Sequence, residues 1–389
     1  MFQWRERKPL LIAGALILVI VAVVWLRSSA PIPDAPTIAD TLPAELGNEE
    51  FWKIVEDFSE PNGYFRSDNL LSNESGLQDV IPKLKERVHP KGVYVGVGPE
   101  QNFTYILAFE PKIAFVVDIR RLNMLEHLLY KALFELSVDR AEFMSRLFSR
   151  PRPKGLSSST ISIDQLFRIY DIVPRDTAFF ESNLDAVSQH LSETHGFHLS
   201  DDDLLQLRYV LSNFFQEGPD LSYSFLGSYY QGTLGMPTYR QLMIATDGNG
   251  HNWSFLATED NFLRIQALQR KNLIIPLVGD FAGPKTIRSI GHYMTQHHAL
   301  LSVFYTSNVE MYLFQQADDW KHFYENVRTL PMNGGSSFIR FAAGRGRRFG
   351  FNSGFYSMRS QMWSPVREVL DAVRARKVDD YSGVLGLSQ

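Results

Sequence analysis

Three residues early in the chain have the types and spacing of a site that binds a nucleoside. The apolar run 93–97 carries Gly96 and is followed by Gly98, and Asp118 closes a second apolar run. Glycines let a turn of backbone approach a ligand closely, and the following helix N-terminus adds free N–H groups. An acid about twenty residues after the glycines accepts hydrogen bonds from ribose hydroxyls. This order predicts a strand, a glycine turn, a helix and a second strand around a bound nucleoside.

The rest of the chain supplies more strands and helices in alternation. Three further apolar runs have the length of buried strands, and helical patterns separate them. Those runs are 273–278, 300–305 and 337–341. Alternation of this kind predicts an α/β fold, a doubly wound, mostly parallel sheet of Rossmann-like type. Residues 122–216 have helical patterns throughout, so we expect a helical insertion after the second strand.

Composition narrows the classes of function. The chain has 389 residues, a formal net charge of -4 and no cysteine. The mild acidity argues against a general nucleic-acid binder, and we expect no nucleic-acid partner. The absence of cysteine excludes disulfides, thiolate catalysis and cysteine-ligated zinc.

The N-terminal region has the pattern of a membrane anchor. Leu10–Leu26 is apolar and free of charge, near the short end of the length that spans a bilayer, and Arg5, Arg7 and Lys8 precede it. We expect residues 1–8 in the cytoplasm, a transmembrane signal anchor over 9–27, a linker over 28–48 and a domain over 49–389. By the positive-inside rule, this domain is extracytoplasmic, in the periplasm. The small residues at 28–30 also fit a cleavage site, so a removed signal peptide is the alternative.

The sequence supports a structural role for the histidines better than a role as metal ligands. His190, His195 and His198 precede the acids at 201–203, but their spacing fits no standard metal site. Ser200 or Asp201 is a natural N-cap for the helix that follows. A hydrolase that uses Asp280 with His292, His297 and His298 has equally poor spacing, because residues five apart or adjacent do not share one face of an α-helix. We therefore expect no metal ligands.

Motifs in order along the chain resemble those of class I S-adenosylmethionine-dependent methyltransferases. The stretch VYVGVG at 93–98 resembles that family's first motif, and LVGDF at 277–281 resembles its third-strand end. LLSVFYTSNVEMYL at 300–313 and LPMNGGSSFIRF at 330–341 are similar to its fourth and fifth strands. The chain also resembles a bacterial membrane-anchored family with this fold. Tyr94, Glu100 and Asn308 depart from the methyltransferase pattern.

The resemblance implies S-adenosylmethionine as the cofactor and a methyl group as the transferred unit. It implies that the cofactor-binding residues are Gly96, Gly98, Asp118, Asp280 and Asn308, with Asp118 on the ribose and Asp280 on the adenine amino group. The candidates for facing the substrate are Arg120, Glu259, Asn261 and Glu310. Methyl transfer needs mainly alignment, so no catalytic residue is predicted.

Two functions follow from these observations. The first is a membrane-anchored methyltransferase. The second is a non-catalytic, envelope-anchored binding or scaffold protein on a degenerate methyltransferase fold. The expected partners are the membrane, through the N-terminal helix, and a small molecule or an envelope component.

Overall fold

A mostly parallel sheet forms the centre of the domain. In the computed structural model, which describes residues 39–223, 236–343 and 359–389, six strands pair edge to edge. In chain order they are β1 (Val93–Gly96), β2 (Ile113–Asp118), β3 (Ile274–Val278), β4 (Leu301–Ser307), β5 (Met332–Ala343) and β6 (Arg359–Pro365). Strands β1 to β5 are parallel to their neighbours, and β6 is antiparallel to β5. This confirms the predicted α/β class and the mostly parallel sheet.

The strand order places β1 at the centre of a reversal. The order across the sheet is β3-β2-β1-β4-β5-β6. The chain moves outward from β1 through β2 to β3, and then crosses back to β4 on the other side of β1. In open α/β sheets, ligands bind beyond the carboxyl ends of the strands at such a reversal. The strand order therefore predicts a ligand site at the carboxyl ends of β1 and β4.

Helices cover the sheet and fill the long interval between β2 and β3. The helices before β3 are α1 (Asn48–Phe58), α2 (Ile81–Lys85), α3 (Gln101–Phe109), α4 (Arg121–Leu136), α5 (Arg140–Phe148), α6 (Ile163–Ile172), α7 (Thr177–Gln189), α8 (Asp201–Glu217), α9 (Tyr239–Ile244) and α10 (Glu259–Arg270). Those after β3 are α11 (Thr286–Gln296), α12 (Val309–Leu313), α13 (Asp319–Val327), α14 (Val366–Arg374) and α15 (Tyr381–Gly386). A π-helical turn, His190–Thr194, continues α7, and a 3₁₀ turn, Gly218–Asp220, follows α8.

The central strands are apolar because both faces of the sheet are covered. Every residue of β1, β2 and β3 is buried. Strands buried on two faces have continuous apolar runs instead of alternating patterns. The same continuity made these strands recognisable in the sequence.

Two expected helices differ from the structure. The pattern Leu122–Phe148 divides into α4 and α5, since Asp139 caps the second helix by accepting a hydrogen bond from the Glu142 backbone N–H. The stretch WSPVREVLDAVRARK at 363–377 has an amphipathic pattern that predicts a helix from Gln361 on. In the structure this segment begins as the end of β6, where Trp363 pairs with Ile339. Helix α14 begins only at Val366, after Pro365.

The expected membrane anchor lies outside the described residues. Within the described residues, no helix combines the length and apolarity needed to cross a bilayer. Asp40–Gln389 form one compact unit by contact, and the description below concerns that unit.

Candidate functional site

A cavity of about 250 Å³ opens at the carboxyl ends of four neighbouring strands. Gly98 follows β1, Asp118 ends β2, Asp280 follows β3 and Asn308 follows β4, and all four line the cavity. The segment 64–74 forms another wall, and α12 with the start of α13 forms a third. The cavity thus occupies the position that the strand reversal favours for a ligand.

The glycine turn at the cavity is held in shape from behind. Gly98 has a φ of 79°, in the region that favours glycine. The Asn102 side-chain amide donates to the carbonyl oxygens of Val97, Gly98 and Pro99 at 3.0, 2.9 and 2.8 Å. Tyr94, which stands where the methyltransferase motif has an acid, donates its hydroxyl to Asn102 Oδ1 at 2.8 Å. The turn is therefore preorganised by its own side chains.

Gly96 supports this turn without reaching the cavity. A Cβ at position 96 would lie 2.0 Å from Asn102 Oδ1 and 2.7 Å from the Tyr94 ring. Glycine is required there because Asn102 and Tyr94 pack directly against the backbone. Gly96 is thus placed behind the turn, whereas Gly98 is on the cavity surface.

His127 fixes the turn from α4. Its Nε2 lies 2.9 Å from the Gly98 carbonyl oxygen, and a carbonyl only accepts, so Nε2 carries the proton. Burial lowers the pKa of His127 to about 4, so the ring is neutral at pH 7. Its neighbour Glu126 is also buried, and burial raises the pKa of Glu126 well above its ordinary value. This Glu-His pair belongs to the core.

Glu100 adds a neutral acid below the first turn of α3. It is fully buried, and burial raises its pKa to about 8. One carboxyl oxygen accepts from the Ser72 backbone N–H at 3.4 Å, and the other has no hydrogen-bond partner in the structure. An acid at this helix N-terminus occupies the place where a phosphate would otherwise be favoured.

Asp118 is paired on the cavity wall with Arg120. Arg120 Nε donates to Asp118 Oδ1 at 3.0 Å, and Arg120 Nη2 donates to Oδ2 at 3.1 Å. The Arg120 backbone N–H donates to Oδ1 at 3.0 Å as well. Arg120 Nη1 bonds the carbonyl oxygens of Ser67 and Asp68, which ties the 64–74 wall to β2. Asp118 Oδ1 therefore accepts two hydrogen bonds, whereas Oδ2 accepts one and keeps one free lone pair.

Acidic side chains outnumber basic ones around the cavity. Its carboxylates are Glu74, Asp118, Asp280 and Asp319, and Arg120 is the cation among the described lining residues. Burial raises the pKa of Glu74, which accepts hydrogen bonds from Ser307 Oγ and Gln361 Nε2. Burial also raises the pKa of Asp280. Such a surface attracts cationic groups and repels phosphates.

Aromatic rings line part of the cavity wall. Phe65 and Tyr312 meet edge to face with centroids 5.3 Å apart, and Tyr64 beside them is 81% exposed. Ser307, the last residue of β4, has a φ of 51°, a left-handed conformation that is uncommon outside glycine. Strained backbone of this kind clusters at ligand sites. Flat apolar rings with polar edges suit a heterocyclic base.

The structure brings five predicted site residues together and separates the others. Gly98, Asp118, Arg120, Asp280 and Asn308 line one cavity. Glu259, Asn261 and Glu310, which were predicted to face a substrate, do not line this cavity.

Each of these three residues has a structural partner instead. Glu259 pairs with Arg140, and its Oε2 accepts from Ser158 Oγ at 2.6 Å. Asn261 lies in the first turn of α10, which Thr258 caps, and donates to the Ser254 carbonyl at 2.8 Å. Glu310 is paired inside the core with Arg340. They are polar residues near strand or helix ends whose side chains serve packing.

Several lining residues were not found from the sequence. Glu74, Tyr64 and Tyr312 lie in segments without a motif, and the fold brings them to the strand ends. The turn PNGY at 61–64 followed by Phe65 was a weak signal, because exposed aromatic residues after a turn often belong to binding surfaces.

Comparison with known proteins identifies the family to which the chain belongs. No curated protein matches the sequence. A family model described as "Domain of unknown function (DUF7790)" matches residues 70–199 and 206–382. These segments cover more than half of the chain and include the glycine turn, Asp118, Asp280 and Asn308. The chain belongs to the DUF7790 family.

Proposed function

We propose that the cavity binds S-adenosylmethionine and that the protein is a membrane-anchored methyltransferase with a Rossmann-like, class I methyltransferase type of fold. The observation that carries this proposal is the set of side chains at the strand reversal. Asp118 at the end of β2, Asp280 after β3, several aromatic rings and an excess of carboxylates surround one cavity. That combination complements an adenosine joined to a positively charged sulfonium.

The charge of the cavity argues for this ligand over the phosphate-bearing alternatives. Dinucleotides place a pyrophosphate on the glycine turn and the following helix N-terminus. Here Glu100 lies at that N-terminus, and Glu74, Asp280 and Asp319 line the cavity nearby. The cavity carboxylates Glu74, Asp280 and Asp319 would repel a pyrophosphate, whereas they would attract a sulfonium or an amino group.

Each predicted cofactor residue has a role consistent with its position. Gly98 lets the backbone approach the ligand, since it has no side chain and a positive φ. Asp118 would accept a ribose hydroxyl with the one Oδ2 lone pair that Arg120 leaves free. Asp280 would accept from the adenine amino group, and Asn308 would line the wall beyond β4. Gly96 acts indirectly, by letting Asn102 hold the turn.

Methyl transfer requires the protein mainly to align the nucleophile with the methyl group. Methyl transfer from a sulfonium proceeds when a nucleophile is held in line with the methyl group, and orientation supplies much of the rate enhancement. Tyr64 and Tyr312 both line the cavity, and Tyr64 is 81% exposed, so this part of the cavity wall reaches the solvent. We propose that the methyl acceptor approaches there.

The apolar run Leu10–Leu26 gives the proposed anchor. Its basic flank on the N-terminal side favours an extracytoplasmic body. An envelope component is then the natural class of methyl acceptor, because the domain would lie at the membrane surface.

A second candidate is a non-catalytic binding protein on the same fold. The observation that favours it is the full engagement of Asp118 by Arg120, with both side chains buried. If that ion pair excludes the ribose, the cavity would hold a different ligand. Both candidates are separated by direct binding measurements.

Isothermal titration calorimetry of the purified full-length protein in detergent tests the proposal. We expect a micromolar Kd for S-adenosylmethionine, about -8 kcal/mol, and no binding of ATP. Asp280→Asn keeps the shape of a half-buried side chain and removes its charge, so binding should weaken at least tenfold. Asp202→Asn on the exposed start of α8 is the matched control and should bind like the parent.

Two results would count against the methyltransferase. One is no heat with S-adenosylmethionine in the folded parent protein, which would favour the non-catalytic candidate. The other is ATP binding as tight as that of S-adenosylmethionine, because the acidic cavity should reject phosphates.

A further inference from the structure

A π-helical turn brings two histidines to one face. His190–Thr194 is π-helical, and the His195 backbone N–H donates to the His190 carbonyl at 3.0 Å. A π turn bonds residue i to i+5, so side chains five apart are stacked there, which does not happen in an α-helix. The two imidazole rings are edge to face with centroids 4.8 Å apart. π-helical turns are frequently found at functional sites.

A buried carboxylate from a different helix completes a three-residue cluster. Glu135 lies in the last turn of α4, and its Oε2 is 2.7 Å from His190 Nε2 and 2.6 Å from His195 Nε2. The three potential ligand atoms all lie within 4.8 Å of one another. Among the described residues, they form a group that is close enough to hold a metal ion. Lys131 Nζ bonds the other carboxylate oxygen at 2.7 Å. Oε2 is therefore the oxygen that faces the histidines.

The tautomer of His195 follows from a chain of hydrogen bonds. Asn272 Nδ2 donates to the Leu46 carbonyl at 2.8 Å and to Asn48 Oδ1 at 3.0 Å. The Asn48 oxygen is thereby fixed as an acceptor, and it lies 2.9 Å from His195 Nδ1. His195 Nδ1 must carry the proton in that contact. In the neutral ring, Nε2 then points a bare lone pair at Glu135 Oε2.

Two lone pairs at 2.6 Å need a positive charge between them. A proton can fill that role, and so can a metal ion. Metal-binding histidines usually donate the N–H of the second ring nitrogen to a fixed oxygen. His195 Nδ1 does this to Asn48 Oδ1. The His195 ring also stacks on Phe197 with centroids 4.9 Å apart, which holds its orientation. The geometry thus has both ligand atoms and the groups that orient them.

We propose that Glu135, His190 and His195 bind a divalent transition-metal ion of the Zn²⁺ class. Two imidazole nitrogens and one carboxylate oxygen form a known zinc ligand set, which leaves a fourth position for water. The His190 side chain is 17% exposed, so solvent reaches that position. Ligands of one tetrahedral zinc lie about 3.3 Å apart when each bond is about 2.0–2.1 Å. The Glu135 oxygen now lies 2.7 and 2.6 Å from the two nitrogens, so each of these distances would lengthen by about 0.6–0.7 Å.

The site would join three segments of the chain. Glu135 belongs to α4, the histidines belong to the end of the α7 segment, and Asn48 begins α1. Asp201 and His198, which the sequence placed near the histidines, are not part of it. Asp203 is instead bound by Arg121, with Nε 2.5 Å from Oδ1. The nearby acids therefore cap and anchor α8.

Zinc titration of the full-length protein, stripped with a chelator beforehand, tests the site directly. We expect one Zn²⁺ per chain in competition with a chromophoric chelator. His190→Gln and His195→Gln should each weaken binding at least 100-fold. Asn48→Ala leaves the ligands in place and should weaken it 10- to 100-fold, as outer-shell changes do. His198→Gln is the matched control, since His198 is 83% exposed, and it should bind like the parent.

A second measurement on the parent protein removes the risk that a variant fails to fold. In histidine nitrogen NMR spectra, one equivalent of Zn²⁺ should shift the Nε2 resonances of two of the ten histidines. No uptake of Zn²⁺ by the folded parent at 100-fold excess would overturn the proposal, and a proton would then hold the cluster. Equal binding by His195→Gln, or shifts at histidines outside the cluster, would overturn it as well.

Discussion

Arg120 holds Asp118 by two side-chain bonds, with Nε 3.0 Å from Oδ1 and Nη2 3.1 Å from Oδ2, and both side chains are buried. A buried ion pair becomes costly when one member is removed, because the remaining charge has no partner. Arg120→Met should therefore destabilise the fold by about 3–5 kcal/mol. The double variant Asp118→Leu/Arg120→Met should recover most of that loss.

Urea unfolding of the parent, the two single variants and the double variant measures this coupling. The two residues are in contact, so their effects should not add. Additive losses within about 0.5 kcal/mol would contradict the ion pair.

Glu310 illustrates a residue that is structural despite its position after a strand. Its carboxylate is 1% exposed and is bound by Arg340, which is fully buried, and Tyr324 donates to it. Glu310→Gln should lower the free energy of unfolding by about 3–5 kcal/mol, because it leaves the Arg340 charge buried and unpaired. The Kd of the folded variant for S-adenosylmethionine should stay within about threefold of the parent. A large change in Kd without a loss of stability would return Glu310 to the binding site.

The acid Glu100 should make stability fall as pH rises. Its pKa is about 8 in the folded protein and about 4.3 in an unfolded chain. Its contribution is thus full below about pH 4.3 and is lost as the pH approaches 8, with a slope of up to about 1.4 kcal/mol per pH unit. Glu100→Gln mimics the protonated acid, so it should be more stable than the parent at pH 8 and similar at pH 5.

Urea unfolding at pH 5 and pH 8 compares the variant with the parent. Glu86→Gln, an exposed change on the same segment, is the control and should show no pH-dependent difference. A parent and a Glu100→Gln variant with parallel pH profiles would show that Glu100 is ionised in the folded state.

Gly98 can be tested against a glycine of opposite backbone geometry. Ala at position 98 must adopt the φ of 79°, which costs about 1–2 kcal/mol. Strain at this turn should weaken S-adenosylmethionine binding at least tenfold, because the proposed ligand would contact the turn. Gly47, with a φ of -64° and no atom within 4 Å of an added Cβ, is the control. Gly47→Ala should retain the parent Kd and stability, and equal effects of both changes would refute the role of the turn.

The absence of cysteine makes the orientation of the anchor measurable with single cysteines. Asp185→Cys lies on an exposed part of α7 and should react with a membrane-impermeant maleimide in intact spheroplasts. Gln3→Cys, before the apolar run, should react only after lysis. The reverse pattern would place the domain in the cytoplasm.

The parts of the fold and of the site that could be predicted from the sequence are those with a local sequence pattern. Val93–Gly98 and Ile113–Asp118 are continuous in sequence, and their order alone indicates a strand, a turn and an acid at one sheet edge. Glu74 and Tyr312 could not be predicted, because only the folded chain brings them to the same cavity. Ion pairs such as Glu310 with Arg340 depend on the same long-range packing.

The histidine cluster shows a different limit. In an α-helix, residues five apart such as His190 and His195 do not share one face. The structure brings them together through a π turn that the sequence did not indicate. Glu135 lies far from both in sequence. The strand at 361–365 was missed for a related reason, since its pairing with β5 overrides a helix-compatible composition.

The central claim is that a sulfonium nucleoside binds between the glycine turn, Asp118 and Asp280. A crystal structure of the protein with S-adenosylhomocysteine at ten times its measured Kd tests this most directly. We expect the ribose beside Asp118, the adenine near Asp280 and the amino-acid end toward the acids of the cavity. A ligand bound elsewhere on the protein, or a cavity without ligand at that concentration, would contradict it.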